Sequence, residues 1–235
     1  MKKAAVREAV WDDLEEREVA RFPYPPHGRI PNFAGADDAA ALLTETSSWD
    51  RARTIKINPD APQRPVRQQA LRSGKRLFMA VPRLREPKPF LELDPDRIDD
   101  FDEASTIGGA SDHGRPVRVD EMPQIDLVVS GSVAVDRHGT RVGKGEGYSD
   151  IEYAILREFD CLDADTPVVT TVHERQIWPD PLDSDPHDVP ITQIVTPERH
   201  YEPESVRSPP TGIDWSVLDS ATIEAIPILA SIRDD

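Results

Sequence analysis

At 235 residues the chain is long enough to bury a real core, and its 37% hydrophobic residues gather in short runs, which excludes a disordered polyampholyte. A net charge of −16, from 44 acidic against 28 basic residues of which only six are lysines, makes a nucleic-acid partner unlikely and fits either a halophilic, salt-rich cytoplasm or an ordinary acidic cytosol. The single cysteine, Cys161, excludes an intramolecular disulfide and a thiolate metal cage, and no run approaches the roughly 20 apolar residues of a membrane span, so a cytoplasmic monomer is expected.

From Lys3 to about Ala20, apolar Val6, Val10 and Leu14 recur every four residues, the stripe of an amphipathic helix that Pro23, Pro25 and Pro26 end. Asp37 to Thr46 reads as a second short helix, with acidic residues at its start and an Ala-Leu run behind them. Then come a strand at Arg53–Ile57, a helix from Pro65 to Arg72, a break at Gly74 and a strand at Arg76–Val81. That alternation is the building block of a parallel sheet. Residues 82–123, rich in Asp, Pro and Gly, read as a loop-rich excursion with one candidate strand at Phe90–Leu93. The β-branched run Ile125–Val129 predicts a strand buried on both faces, and Ser132 to Asp136 continues extended. A helix is expected from Tyr148 to about Phe159, strands at Thr166–Val172 and Ile191–Thr196, and a short helix from Trp215 to Arg233 broken at Pro227. The whole, 1–235, is expected to be one α/β domain of three layers: an open, mostly parallel sheet with helices on both faces, and ligands at the carboxyl ends of the strands.

Chemistry concentrates in Arg141-Val-Gly143-Lys144-Gly145-Glu146-Gly147-Tyr148-Ser149-Asp150. Three glycines at alternate positions let the backbone turn sharply and approach a ligand, and the segment runs into a helix whose first N–H groups favour an anion. Arg141 and Lys144 bracket the bend with positive charge, and Asp150 is placed to hold a divalent metal, so the segment reads as a phosphate site. The spacing matches neither a Walker loop nor the dinucleotide fingerprint, and a flexible turn between strand and helix is the plain alternative. His173 and Glu174 lack the second histidine of a zinc-protease motif. Cys161, Trp11 and Trp49 are expected to pack, while Glu152 and Glu158 on the following helix are expected to be solvated.

The longer string from Gly131 to Asp150 resembles the signature of the 5-formyltetrahydrofolate cyclo-ligase family, also called methenyltetrahydrofolate synthetase. Within it, the chain is most similar to the methenyltetrahydrofolate synthetase domain-containing branch, through His27-Gly-Arg-Ile-Pro-Asn-Phe33, Gly143 to Ala154, and Ile226-Pro-Ile-Leu229. The resemblance implies ATP and Mg²⁺ as cofactors and a reduced folate as the small-molecule substrate. By it Lys3, Arg7, Arg141, Gly143, Lys144, Gly145, Glu146, Gly147 and Tyr148 would bind ATP, Arg141 and Lys144 would act in catalysis, and Asp150 and Asp188 would hold the metal. The activity implied is conversion of 5-formyltetrahydrofolate to 5,10-methenyltetrahydrofolate with release of ADP and phosphate. Two departures from the pattern, Glu146 for a basic or small residue and Ser149 for a second Tyr, leave open a rival reading: a non-catalytic nucleotide- or RNA-binding regulatory module on the same fold.

Overall fold

The structure is a computed structural model that describes residues 1–204 and 206–234. The first half of the chain forms α1 (Lys3–Glu16), β1 (Ala20–Arg21), β2 (Asn32–Phe33), α2 (Ala36–Thr44), α3 (Ser47–Arg51), β3 (Thr54–Ile57), α4 (Arg64–Arg72), β4 (Arg76–Ala80), β5 (Phe90–Leu93), α5 (Phe101–Ala104), α6 (Ile107–His113) and β6 (Arg115–Val117). The second half forms β7 (Leu127–Val129), β8 (Ala134–Asp136), β9 (Arg141–Val142), α7 (Tyr148–Glu158), β10 (Val168–Thr171), β11 (Ile177–Trp178), β12 (Gln193–Val195), β13 (His200–Tyr201), α8 (Ser220–Ala225) and α9 (Pro227–Asp234).

Among the described residues, eight strands make one sheet in the order β13-β12-β10-β7-β3-β4-β5-β6. The five from β12 to β4 run parallel, and β13, β5 and β6 join antiparallel at the two sides, which is the mostly parallel α/β sheet expected. Side chains alternate across it. Ile55, Ile57, Leu77, Met79, Leu127 and Val129 meet α2 and α4 on one face, through Ala40, Leu43, Val66 and Leu71. Phe78, Ala80, Val128, Val168 and Ile194 meet α7 on the other, together with Ile223, Ile226 and Leu229 of the C-terminal segment. Burial of each such side chain contributes roughly 1.5–3 kcal/mol, so the layers are held mainly by these two stripes.

A second, three-stranded sheet in the order β11-β8-β9 is covered by α1, whose Val6, Val10, Trp11 and Leu14 pack on Val133, Ala134 and Val142. Helix α1 stops four residues short of the expected Ala20. Glu18 turns into the left-handed region at φ 56°, Val19 N–H donates to Leu14 O, and Ala20–Arg21 is released to pair with Asn32–Phe33. Residues 82–123 hold more regular structure than their composition predicts. β5 pairs with β4 over four residues and β6 pairs with β5, with two short helices between them whose N-terminal amides are capped by Asp100 and Thr106.

Several side chains on the α7 face depart from the apolar pattern, Glu92, Thr170 and Lys56 among them. Lys56, at the middle of β3, is 1% exposed, and its ammonium donates to Asn58 Oδ1 at 2.5 Å and to Glu152 on α7. Glu152 is therefore not solvated, as its helix position first implied, but buried against the sheet with a charge partner.

Candidate functional site

The small sheet sets the position of Arg141. At the start of β9 this residue is 6% exposed; its Nη1 donates to Gly131 O at 3.0 Å and its Nη2 to both oxygens of Asp150, at 2.9 and 2.7 Å. Asp150, in the first turn of α7, also accepts from Val189 N–H at 3.0 Å, so the bend between β9 and α7 is clamped at its base.

Between these anchors runs the glycine bend. A Cβ on Gly143 would fall 2.9 Å from Arg141 Nη1, and Gly145, at φ 106°, lies so close to Arg7 that a Cβ there would meet the guanidinium at 3.3 Å. The glycines thus allow the main chain to lie against two cationic side chains. Arg7 reaches the bend from α1 and donates from Nε to Gly143 O at 2.6 Å. Among the described residues, the backbone N–H groups from Lys144 to Ser149 donate to no protein acceptor, the condition under which a helix N-terminus and its preceding bend attract an anion. Burial and the neighbouring charge of Arg141 draw the Arg7 pKa below its ordinary value.

Lys3, one turn before Arg7, is held from the opposite side: Nζ donates to Asp188 Oδ2 at 2.5 Å and to Asp185 Oδ2 at 2.8 Å. Burial opposes its charge, but the two carboxylates outweigh that and its pKa is raised. Asp185, His187 and Asp188 can bring one donor atom each within 4.8 Å of one another. Lys144 is turned to Glu146, with Nζ to carboxylate 2.6 Å, and Arg83 stands 3.5 Å from the same carboxylate. The hydrogen bond from Lys144 is the main cause that lowers the Glu146 pKa. The negative charge that Glu146 brings to the bend is thereby matched locally.

Two cavities, of about 300 and 340 Å³, meet at this bend and share Arg141, Gly143, Glu146, Gly147 and Asp150 as their common wall. The 340 Å³ cavity holds Lys3, Arg7 and Asp188; the 300 Å³ cavity holds Lys144, Tyr148, Asn58 and Asp60, and an apolar side made by Met79, Leu91 and Ile107. All the residues singled out in the sequence thus surround one bend, but they divide between its two sides.

Asn58, Asp60 and Ser130 were not singled out, and Ser149 was marked only as a departure from the family pattern. Asn58 and Asp60 follow β3 at its carboxyl end, where ligands gather in such sheets, and that position was the available signal. Arg67 fixes this turn by donating to Asn58 O at 2.6 Å and Asp60 O at 3.1 Å. Ser130 and Ser149 hydroxyls lie 2.9 Å apart, and Asn58 Nδ2 donates to Ser149 at 3.3 Å, so the substitution at the second-tyrosine position joins a polar floor. Burial raises the Asp60 carboxyl pKa, against the pull of Lys144, Arg67, Lys56 and Arg141.

A parallel α/β sheet, a glycine bend opening a helix and cationic side chains around that bend make an α/β protein with two abutting cavities. Comparison with known proteins makes this specific. The model of the 5-formyltetrahydrofolate cyclo-ligase family matches residues 1–197, and the chain belongs to that family. It is 42% identical over 237 residues to the mouse methenyltetrahydrofolate synthase domain-containing protein, covering 99% of this chain and 63% of that one. The human protein of the same description is 37% identical over 235 residues, covering 98% and 61%. The chain therefore spans less than two thirds of these curated relatives. Among solved structures, the Aquifex aeolicus 5,10-methenyltetrahydrofolate synthetase superposes with a TM-score of 0.54 at 18% identity, covering 88% of this chain and 96% of that one, a likeness of fold. No described helix is long and apolar enough to cross a membrane.

Proposed function

We propose that the chain catalyses ATP-dependent ring closure of 5-formyltetrahydrofolate to 5,10-methenyltetrahydrofolate. The observation that carries this reading is the shared wall: two cavities, one strongly cationic, abut at a bend with free amides, which is the geometry needed to bring a terminal phosphate of one substrate to a group on another. The γ-phosphoryl group passes to the formyl oxygen, the neighbouring folate nitrogen closes on the activated carbon, and phosphate leaves. Such a transfer needs alignment and charge neutralisation more than a protein nucleophile. In this reading Lys3, Arg7, Arg141 and the bend amides receive the triphosphate. Lys144 faces the folate cavity, ready to exchange Glu146 for a phosphate oxygen, and Tyr148 lines the pterin side. The carboxylates suit Mg²⁺: Asp188 and Asp185 offer converging oxygens, and Asp150 keeps lone pairs beyond its bonds to Arg141. Bound there, Mg²⁺ would offset phosphate charge.

The test is to mix the folded chain with 5-formyltetrahydrofolate, ATP and Mg²⁺ and follow the methenyl absorbance. A folded chain that binds ATP yet forms no methenyl product would refute the ligase reading. One observation favours a second reading, a non-catalytic nucleotide- or RNA-binding module: Lys144, Arg141 and Lys3 are each paired with a carboxylate of the chain itself, so the cations are partly neutralised before any ligand arrives. ATP binding without turnover would select that second reading.

A further inference from the structure

The family match ends at residue 197, yet the segment beyond it is built into the site. Ile223, Ile226 and Leu229 are buried in the core on the α7 face. Arg207 donates from Nη1 to Asp185 O at 2.8 Å and from Nη2 to Asp188 O, tying the segment to the loop that holds Lys3. Ile213 N–H donates to Glu158 Oε2 at 3.3 Å, tying it to the end of α7. Between these ties, residues 210–222 line the 340 Å³ cavity on the side away from β9.

That cavity has two chemically different ends. One carries Lys3, Arg7 and Arg141. The other is walled by Ile151 and Ala154 of α7 and by Ile213, Val217 and Leu218 of the C-terminal segment, with Asp214 and Thr222 of that segment also on the cavity. Val217 is 50% exposed, an aliphatic side chain turned to the cavity and not to the core. A site with an anion pole and a mainly aliphatic slot matches a ligand that is anionic at one end and at the other carries a flat ring with apolar faces and a polar edge, and a nucleoside triphosphate has this form.

We propose that residues 210–222 form the nucleobase wall of the site, so that the base lies between Ile151 and Ala154 on one side and Ile213, Val217 and Leu218 on the other. The inference rests on the phosphate reading given under Proposed function. Removing the segment would strip core residues, so the test uses point variants of the full chain. Val217→Asp and Val217→Lys put opposite charges at the slot, and Val217→Ser is the mild control for folding. Affinities for ATP and for inorganic tripolyphosphate are measured by titration calorimetry.

Wild type should bind ATP more tightly than tripolyphosphate. Both charged variants should weaken ATP at least about tenfold, because each leaves a charge against a buried apolar ring, while tripolyphosphate affinity stays within about twofold. Val217→Ser should weaken ATP by a smaller factor in the same direction. ATP affinity unchanged in all three, or moved in opposite directions by Asp and Lys, would overturn the wall. Equal wild-type affinity for ATP and tripolyphosphate would also overturn it while sparing the phosphate site. A wild type that binds neither would defeat the phosphate reading, and the wall with it.

Discussion

Lys56→Met should unfold the protein far more readily than the apolar look of β3 implies. The Lys56 and Glu152 side chains are 2% and 8% exposed, and the Glu152 carboxylate makes no other hydrogen bond among the described residues. Replacing the lysine strands that carboxylate in the core, and breaking a buried pair from one side costs about 3–5 kcal/mol. Glu152→Gln should cost less, near the lower end of that range, because Lys56 keeps Asn58 Oδ1 at 2.5 Å and gains a neutral acceptor. The double variant Lys56→Met with Glu152→Leu should recover most of the loss, since both charges then leave the low-dielectric layer together. For a chain of this length each kcal/mol moves the melting temperature by roughly 2–4 °C, so the single variant should melt roughly 6–20 °C below wild type. Urea unfolding of wild type, Lys56→Met, Glu152→Leu and the double variant gives the coupling energy. Additive single losses, or a Lys56→Met loss below about 1 kcal/mol, would refute the account of the pair as a buried, mutually dependent unit.

Gly145→Ala should lower the unfolding midpoint and weaken ATP about fivefold or more. A Cβ at φ 106° costs about 1–3 kcal/mol and meets the Arg7 guanidinium, so the bend must move; unchanged affinity in a titration would show that the bend is not the anion cradle. Asp60→Asn should stabilise the fold at neutral pH. Burial raises the Asp60 pKa, so the ionised folded state is penalised: the penalty is absent below the unfolded-state value of 3.8, grows as pH rises through the raised folded value, and is complete above it. Urea midpoints for the variant and wild type should therefore coincide in acid and diverge towards neutrality; parallel curves would contradict this. Cys161, 3% exposed with its thiol pushed up to about 11 chiefly by burial, should resist maleimide at about pH 8 until denaturant is added. Rapid labelling of the native chain would place the thiol elsewhere.

Much of the fold was readable in the sequence. The unit β3–α4–β4 follows from an apolar run, a helix stripe and a glycine break, and Ile125–Val129 was marked as central by its unbroken β-branched residues. Strand β5 was legible as the apolar run Phe90–Leu93, whereas β6 was not: it is three residues long, carries Pro116, and gains its order from pairing on β5, a long-range effect that no local pattern carries. At the site, the glycine bend and its cations were visible because glycine spacing and charge are local signals. The burial of Glu152 was missed, although it shares a helix face with Tyr148, Ile155 and Leu156, and although Lys56 at the centre of an apolar strand demanded a partner. The pairing of Lys144 with Glu146 was not foreseen either, since two charges two residues apart meet only when the bend folds back.

The two margins of the eight-stranded sheet are both blunt. One is the three-residue β6, where Pro116 lacks a donor N–H and Arg115 is exposed; the other is the two-residue β13. A newcomer strand would find few consecutive unpaired amides at either margin, and a charged side chain beside them at the first. The sheet is therefore poorly suited to templating cross-chain β-pairing, and its protection against fibrillar growth lies in these five residues and not in the apolar strands they enclose.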